Sequence, residues 1–308
     1  MDKAAAKYRI IEGILNEEDN ILNVSMLCSS AGVSRQGYYH WLRTKDVRSE
    51  REKQDRKDFG LILESYNFRG YAKGVRGIHM RLLHLETPVL MNHKKIQRLM
   101  RKYGLECPIR QANPYRRIQK SLAIENTAEN VLDREFRKHG ARKVLLTDIT
   151  YIPFQGKFCY LSTILDAYTK QVLSFVVSES LEVDFVLETV QKAMDRHGLS
   201  FRTETLIHSD RGSHYTSKKF IQIVNDSKLR RSMSRRGNCW DNAPQESFFG
   251  HMKQETHFER CRTVNELKAA IDDWMDYYNN DRYQESLSKL SPNEYYEYIT
   301  MGIYPLKI

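Results

Sequence analysis

Apolar positions at helical spacing fill the front of the chain, and short runs of β-forming residues appear beyond Gly140. Tyr8, Ile11, Ile14 and Leu15 share one side of a helix over residues 4–17, which the polar run Asn16 to Asn20 ends. From Val24 to Trp41 the pattern reads as a short helix, a turn at Gly32, an N-cap at Ser34 and a second helix. That second helix carries Arg35, Gln36 and Tyr39 outward and Tyr38 and Trp41 inward. This is the order of a helix-turn-helix, and also of an ordinary helical hairpin in which Arg35 and Gln36 are merely solvated. Alternating charge from Lys45 to Lys57 predicts an exposed helix continuing through Leu61, Leu63 and Tyr66. Gly74 to Ile78 opens another helix, broken at Thr87-Pro88. A further one over Asn92 to Tyr103 points Ile96, Leu99 and Met100 inward and Lys94, Lys95, Arg98, Arg101 and Lys102 outward.

Residues 108–140 have no clear periodicity and read as a basic linker, so a domain boundary is expected near Gly140. Strands follow at Val144 to Ile152, Phe158 to Ala167 and Gln171 to Ser178, the last two joined at Tyr168-Thr169-Lys170. An amphipathic helix spans Val183 to His197, a strand Thr203 to Ile207, a helix Lys218 to Asp226 and a strand Leu229 to Met233. After Asp241-Asn242-Ala243-Pro244, which offers an N-cap and an early proline, Glu246, Phe249, Met252 and Lys253 recur at helical spacing. The last pattern is a helix over Thr263 to Asn279 with Leu267, Ile271, Trp274 and Tyr278 inward, and Asp272, Asp273 and Asp276 on a solvated face.

Composition narrows what such a chain does. Its 308 residues carry a net charge of +10. All of that excess lies in residues 1–140, with 27 Lys and Arg against 17 Asp and Glu, whereas residues 141–308 hold 22 of each. A basic front half implies a polyanionic partner. No apolar run approaches the roughly 18 residues of a membrane span, and the N-terminus lacks a signal-peptide pattern. A cytoplasmic, nucleic-acid-binding protein is therefore expected. Five widely spaced cysteines predict reduced thiols rather than a disulfide frame or a zinc site.

Three acids stand out against this background. Asp148 interrupts an otherwise apolar and β-branched strand, and a lone buried carboxylate is costly unless paired or on a metal. Asp210 stands where the run Thr205-Leu206-Ile207 gives way to a glycine turn, and open α/β sheets place their chemistry beyond strand carboxyl ends. Glu246 projects from the first turns of a helix, with Lys253 two turns along the same face. Two divalent cations at a phosphodiester need about three such carboxylates to hold them roughly 4 Å apart.

The segments Thr147-Asp148-Ile149-Thr150-Tyr151, His208-Ser209-Asp210-Arg211-Gly212-Ser213-His214-Tyr215 and Asp241-Asn242-Ala243-Pro244-Gln245-Glu246-Ser247-Phe248-Phe249 resemble the three acid motifs of the insertion-sequence transposases of the IS-three type, OrfB chain, in the DDE transposase and retroviral integrase superfamily. The thirty-five residues between Asp210 and Glu246 match that family's separation. The likeness runs from about Val24 to Pro292, and Tyr278 to Arg282 with Leu290-Ser291-Pro292 is similar to its closing motif. This chain has Tyr283 and Gln284 where Pro-His is common, and Lys73 and Gly77 within the family's Tyr-Gly-x-Arg-Arg-Ile turn.

The resemblance implies an α/β fold, a ribonuclease H-like integrase catalytic core with a five-stranded mixed sheet, preceded by all-α helix-turn-helix modules. The expected divisions are a DNA-binding module over 1–44, a linker helix over 45–70, a second helix-turn-helix-like module over 71–115, a basic linker over 116–140 and the core over 141–300. It further implies that Asp148, Asp210 and Glu246 are catalytic and hold two Mg²⁺ ions, with Mn²⁺ as a substitute, for cleavage of element ends and joining of the 3′-hydroxyl to DNA. DNA contacts are expected at Arg35, Gln36, Lys94, Lys95, Arg98, Lys253 and a basic loop holding Arg230, Arg231, Arg235 and Arg236. Expected partners are terminal-repeat and target DNA, further copies of the chain on DNA, and an upstream OrfA segment, with no membrane and a nucleoid location. Two other readings remain open: a transposase-derived regulator without catalysis, and a plain nuclease of the same fold.

Overall fold

The computed structural model describes residues 3–108, 139–202, 204–234 and 242–306. The chain divides into two compact units, Met1–Leu63 and Glu64–Ile308.

In the first unit, α1 (Lys3–Leu15), α2 (Val24–Ala31) and α3 (Arg35–Arg43) close around Ile11, Leu27, Cys28, Tyr38 and Trp41. The turn between α2 and α3 follows the sequence expectation. Asn23 caps α2 by accepting from the Met26 N–H, Gly32 takes the left-handed conformation at φ 64°, and Ser34 caps α3 by accepting from the Gly37 N–H. Gly37 is bare of a side chain for a reason of packing, since a Cβ there would collide with the Tyr8 hydroxyl. α4 (Lys45–Asn67) contains the junction of the units.

The second unit begins with the helix pair α5 (Val75–Leu83) and α6 (His93–Lys102), packed through Ile78, Leu82, Leu83, Ile96 and Leu99. Its sheet comprises β1 (Val144–Phe154), β2 (Lys157–Asp166), β3 (Val172–Ser178), β4 (Leu206–Ser209) and β5 (Arg230–Met233), in the order β3-β2-β1-β4-β5. The first three strands form the antiparallel meander; β4 and β5 add parallel to β1. The β1–β2 turn is tight, with positive φ at both Gln155 and Gly156. Side chains of β1 alternate between faces, so Val144, Leu146 and Ile152 belong to one core and Leu145 and Ile149 to the other. The first face is covered by α10 (Ala243–Glu255) and α11 (Val264–Asn280), and the second by α7 (Asp184–His197) and α9 (Lys218–Asp226), with α8 (Ser213–Thr216) between β4 and α9. α12 (Pro292–Met301) ends the described fold with a full capping box at Ser291 and Glu294. This is the mixed sheet and helix arrangement expected of an integrase core.

Three details differ from the sequence reading. The fourth strand runs from Leu206 to Ser209, where Thr203 to Ile207 was expected, because the Thr205 N–H closes a turn on the Arg202 carbonyl at 2.8 Å just before it; Thr203 lies outside the described residues. Arg230 and Arg231 lie on β5, not in a loop. Asp273 and Asp276 are more than a solvated face: Arg69 reaches Asp276 at 2.5 Å, and the Tyr71 hydroxyl donates to Asp273 at 2.6 Å. The predicted linker falls almost wholly within 109–138, outside the described residues.

The same contacts account for Lys73 and Gly77. Lys73 is buried, donates to the carbonyls of Phe68 and Tyr71, and lies over the Tyr277 ring. A Cβ at position 77 would stand 3.2 Å from the Cβ of Lys73. The missing side chain at Gly77 thus leaves room for the lysine stem.

Candidate active site

The parallel register of β1 and β4 pairs Val144 with Leu206 and Leu146 with His208. Asp148 stands two residues past the last paired position on β1, and Asp210 two past it on the β4 side, just beyond the strand end. The alternation that puts Leu146 and Ile152 on the α10 face puts Asp148 there too. Asp148 is half-buried, its carboxylate accepting from the Ile149 N–H at 2.8 Å, and Asp210 is exposed just past the strand end.

The turn after Asp210 is shaped around its carboxylate. Gly212 donates its N–H to Asp210 at 2.8 Å, and a Cβ at that glycine would lie 2.9 Å from the same oxygen, too close for any side chain. His208 braces the strand end from beneath, with Nδ1 2.9 Å from the Ser232 hydroxyl and Nε2 3.1 Å from that of Ser234. Arg211 donates to the Ser234 carbonyl at 2.8 Å. Rigid supports of this kind hold a side chain to one geometry.

Tyr215 ties the two aspartates together electrostatically. Its buried hydroxyl lies 3.4 Å from that of Thr147, and its pKa is pushed well up by burial and further by the negative charge of both Asp148 and Asp210.

Glu246 arrives from α10. Its neighbour Gln245 is fully buried and donates to the hydroxyl of Thr163, which is the cross-strand partner of Asp148. Phe248, Phe249 and Met252 anchor the helix in the core below. The Glu246 side chain itself is exposed, while partial burial around the carboxyl pushes its pKa up. At the far end of α10, Glu255 accepts two bonds from the buried Arg282 guanidinium at 2.8 and 3.1 Å and one from Trp274 Nε1 at 3.1 Å. Among the described residues, no group of three or more His, Cys, Asp or Glu side chains is gathered closely enough to hold a metal ion. The three acids sit on β1, just past β4 and on α10, and carboxylates are the donors that a hard divalent cation takes.

The predicted DNA contacts lie on several different elements. Arg35 and Gln36 are exposed at the start of α3, beside an open groove lined also by Asn23, Val24, Ser25 and Tyr39. Lys94 and Arg98 are exposed on α6, and Lys95 is half-buried. Lys253 is exposed on α10. Arg230 pairs in register with Leu206, four residues from the level of the acids and so roughly 13 Å away. Arg231 turns inward, donating to the Tyr215 carbonyl at 3.3 Å. Arg235 and Arg236 lie outside the described residues. Tyr215, Thr163, Gln245 and Glu255 were assigned no role from sequence. Tyr215 and Gln245 do stand inside the acid motifs, and that position was the available signal.

Comparison with known proteins gives a consistent result. The family described as integrase core domain matches residues 138–239 and again 227–292, and the HTH-like domain family matches 53–113. The insertion element IS600 uncharacterized 31 kDa protein of Shigella sonnei is 30% identical over 88% of this chain and 97% of its own length. An uncharacterized transposase-like protein of Haemophilus influenzae is 31% identical over 68% of this chain and 95% of its own. Transposase InsF for insertion sequence IS3A of Escherichia coli is 25% identical over 89% and 93%. Among solved structures, the HTLV-2 integrase catalytic core domain in complex with magnesium covers 49% of this chain and 92% of its own, at 15% identity and a TM-score of 0.39.

Proposed function

The chain belongs to the insertion-sequence transposases of the DDE transposase and integrase superfamily, and from that premise we propose that it cuts the ends of its element and joins the freed 3′-hydroxyl to target DNA. What supports this reading is the adjacency of β1, which carries Asp148, to β4, whose end leads straight into Asp210, with the helix of Glu246 packed on the same sheet. Asp148, Asp210 and Glu246 are the residues to hold Mg²⁺ or Mn²⁺. When bound, such ions activate the attacking oxygen and stabilise the leaving one at a phosphodiester. The chain's own part is orientation. Gly212 and His208 keep Asp210 in place, Thr163 and Arg282 pin the two ends of α10, and the buried Tyr215 keeps the floor between the aspartates protonated and neutral.

The α2–α3 pair takes the role of end reader, with Arg35 and Gln36 at base edges. Lys94, Lys95 and Arg98 hold phosphate backbone, and Lys253 binds near the scissile end. Terminal-repeat and target DNA are the substrates, acted on at the nucleoid by an assembly of copies with or without an OrfA segment. No described helix is long and apolar enough to cross a membrane.

The test is nicking and joining of labelled element ends with and without Mg²⁺, for the native chain and for Glu246→Gln. Binding without cleavage or joining is expected of the variant, since the substitution keeps shape and removes one ligand charge. Joining at the native rate by Glu246→Gln overturns the assignment.

A further inference from the structure

At the strand-start end of the sheet, remote from the acids, a cleft of about 340 Å³ is lined by Arg142, Lys143, Ser200, Arg202, Tyr296 and Thr300. Three of these are cations, and no carboxylate is among them. From this composition and geometry we infer that the cleft is a second phosphate site, taking the backbone of a DNA segment that is not at the catalytic acids. The inference rests on the proposed reaction only in taking the phosphodiester to be DNA.

The cleft is built on a fixed base. Arg142 is buried with a left-handed φ of 64°, and its backbone N–H and its guanidinium both donate to the buried Asp166, at 2.8 and 3.1 Å. The Tyr296 ring lies over the same guanidinium at 4.2 Å, and the arginine Nε is left buried without a hydrogen-bond partner. Asp166 is spent on this base, where it also accepts from the N–H groups of Tyr168 and Thr169.

Lys143 and Arg202 stand on the rim, both exposed. Among the described residues neither side chain has a hydrogen bond or ion pair. The positive charge of the base is felt at the neighbouring His197. The pKa of His197 is pushed down by burial and by the charges of Arg142 and Arg196. The Ser200 and Thr300 hydroxyls donate to the carbonyls of His197 and Tyr296, and the Arg142 guanidinium to Asp166 and Gln171, so the two exposed rim cations, Lys143 and Arg202, are the groups that match the acceptor oxygens of a phosphodiester. Lys143 lies five residues before Asp148, roughly 16 Å along an extended strand, so a phosphate here is well separated from one under attack. A chain that joins two DNA segments has use for such a holding point.

The experiment uses the full chain. Amine labelling of Lys143, followed by peptide mass, is compared with a random-sequence duplex, with inorganic phosphate and with neither, at matched ionic strength. Duplex at micromolar concentration is expected to shield Lys143 at least fivefold, with equimolar phosphate giving none. In parallel, duplex affinity is titrated against salt for the native chain and for Lys143→Glu with Arg202→Glu, Arg142 being left intact to keep the turn. The salt slope should fall by about two, since each phosphate no longer neutralised lowers it by about 0.9. Lys143→Gln with Arg202→Gln, checked for native melting, gives the same reading without charge reversal. Equal shielding by inorganic phosphate makes this a small-anion site and overturns the DNA assignment. So does an unchanged salt slope in both double variants. Cleavage is scored separately on the native chain, so that failure of the catalytic reading and failure of the cleft are told apart.

Discussion

The two helix-turn-helix-like pairs have similar sequence patterns and opposite structural dependence. The α2–α3 pair closes its own core because α1 supplies a third helix, with Ile11 meeting Leu27, Cys28, Tyr38 and Trp41. The α5–α6 pair is joined by the end of α4, where the Tyr66 hydroxyl donates to the Glu106 carbonyl at 3.0 Å, and it packs further against the later helices of its own unit. Arg69 meets Asp276 and Asp281, Tyr71 stacks on Tyr277 at 4.3 Å, and His84 stacks on Tyr283 at 3.6 Å while reaching Glu294 at 3.3 Å. Two helices bury little by themselves, so the second pair borrows its remaining surface from α11, α12 and the closing segment. The difference separates a helix pair with a core of its own from one whose packing belongs to the larger unit.

The largest effect expected is all or none. A fragment of residues 1–63 should unfold cooperatively, whereas extending it to 115 should add no protected structure, since α11 and α12 are missing. Hydrogen exchange at Ile96 and Leu99 reads this directly, and protection equal to that of the whole chain breaks the contrast. Next, Tyr71→Ala removes a ring stack and the bond to Asp273. It should destabilise the second unit by about 2 to 3 kcal/mol in urea unfolding and leave the first unit's transition in place.

Lys73 sharpens the comparison through pH. Burial holds its pKa down at about 8, against opposing help from Glu255. The folded chain therefore releases this proton before the unfolded chain does. Stability of the second unit should rise as pH climbs from about 8 toward 10, by roughly 2 kcal/mol, with no such rise below 8. Above 10 the trend reverses, because burial pushes the hydroxyls of Tyr71 and Tyr277 up and the unfolded tyrosines ionise first. Lys73→Met should flatten the rise between 8 and 10 when urea midpoints are compared across that range. A slope the same as the native chain's assigns the effect to another group.

The smallest effect concerns recognition. Ala at Arg35 or Gln36 should cost about 1 to 2 kcal/mol of discrimination between element ends and random duplex. Ala at Lys94 and Lys95 should weaken both equally and lower the salt slope. Identical behaviour of the two pairs in one titration series would remove the distinction between reader and holder.

Local pattern alone determined much of this protein. Helix periodicity with the cap at Ser34 located most of the helices up to Asn279, β-branched runs located the strands, and Asp148, Asp210 and Glu246 stood out as acids in improbable places. Tertiary structure decided what those residues meet. The strand order β3-β2-β1-β4-β5 puts the strand of Asp148 beside the one that leads into Asp210, although sixty-one residues separate the two acids in sequence. Long-range packing gives Asp273 and Asp276 partners in Arg69 and Tyr71, turns Arg231 toward Tyr215, and couples Lys73 to the bare Gly77. The physical reason is one of range. Periodicity and capping act within a turn or a strand, where the chain carries its own answer. A charged side chain takes its partner from whichever element the hydrophobic core packs against it, and that choice is made only when the whole unit folds.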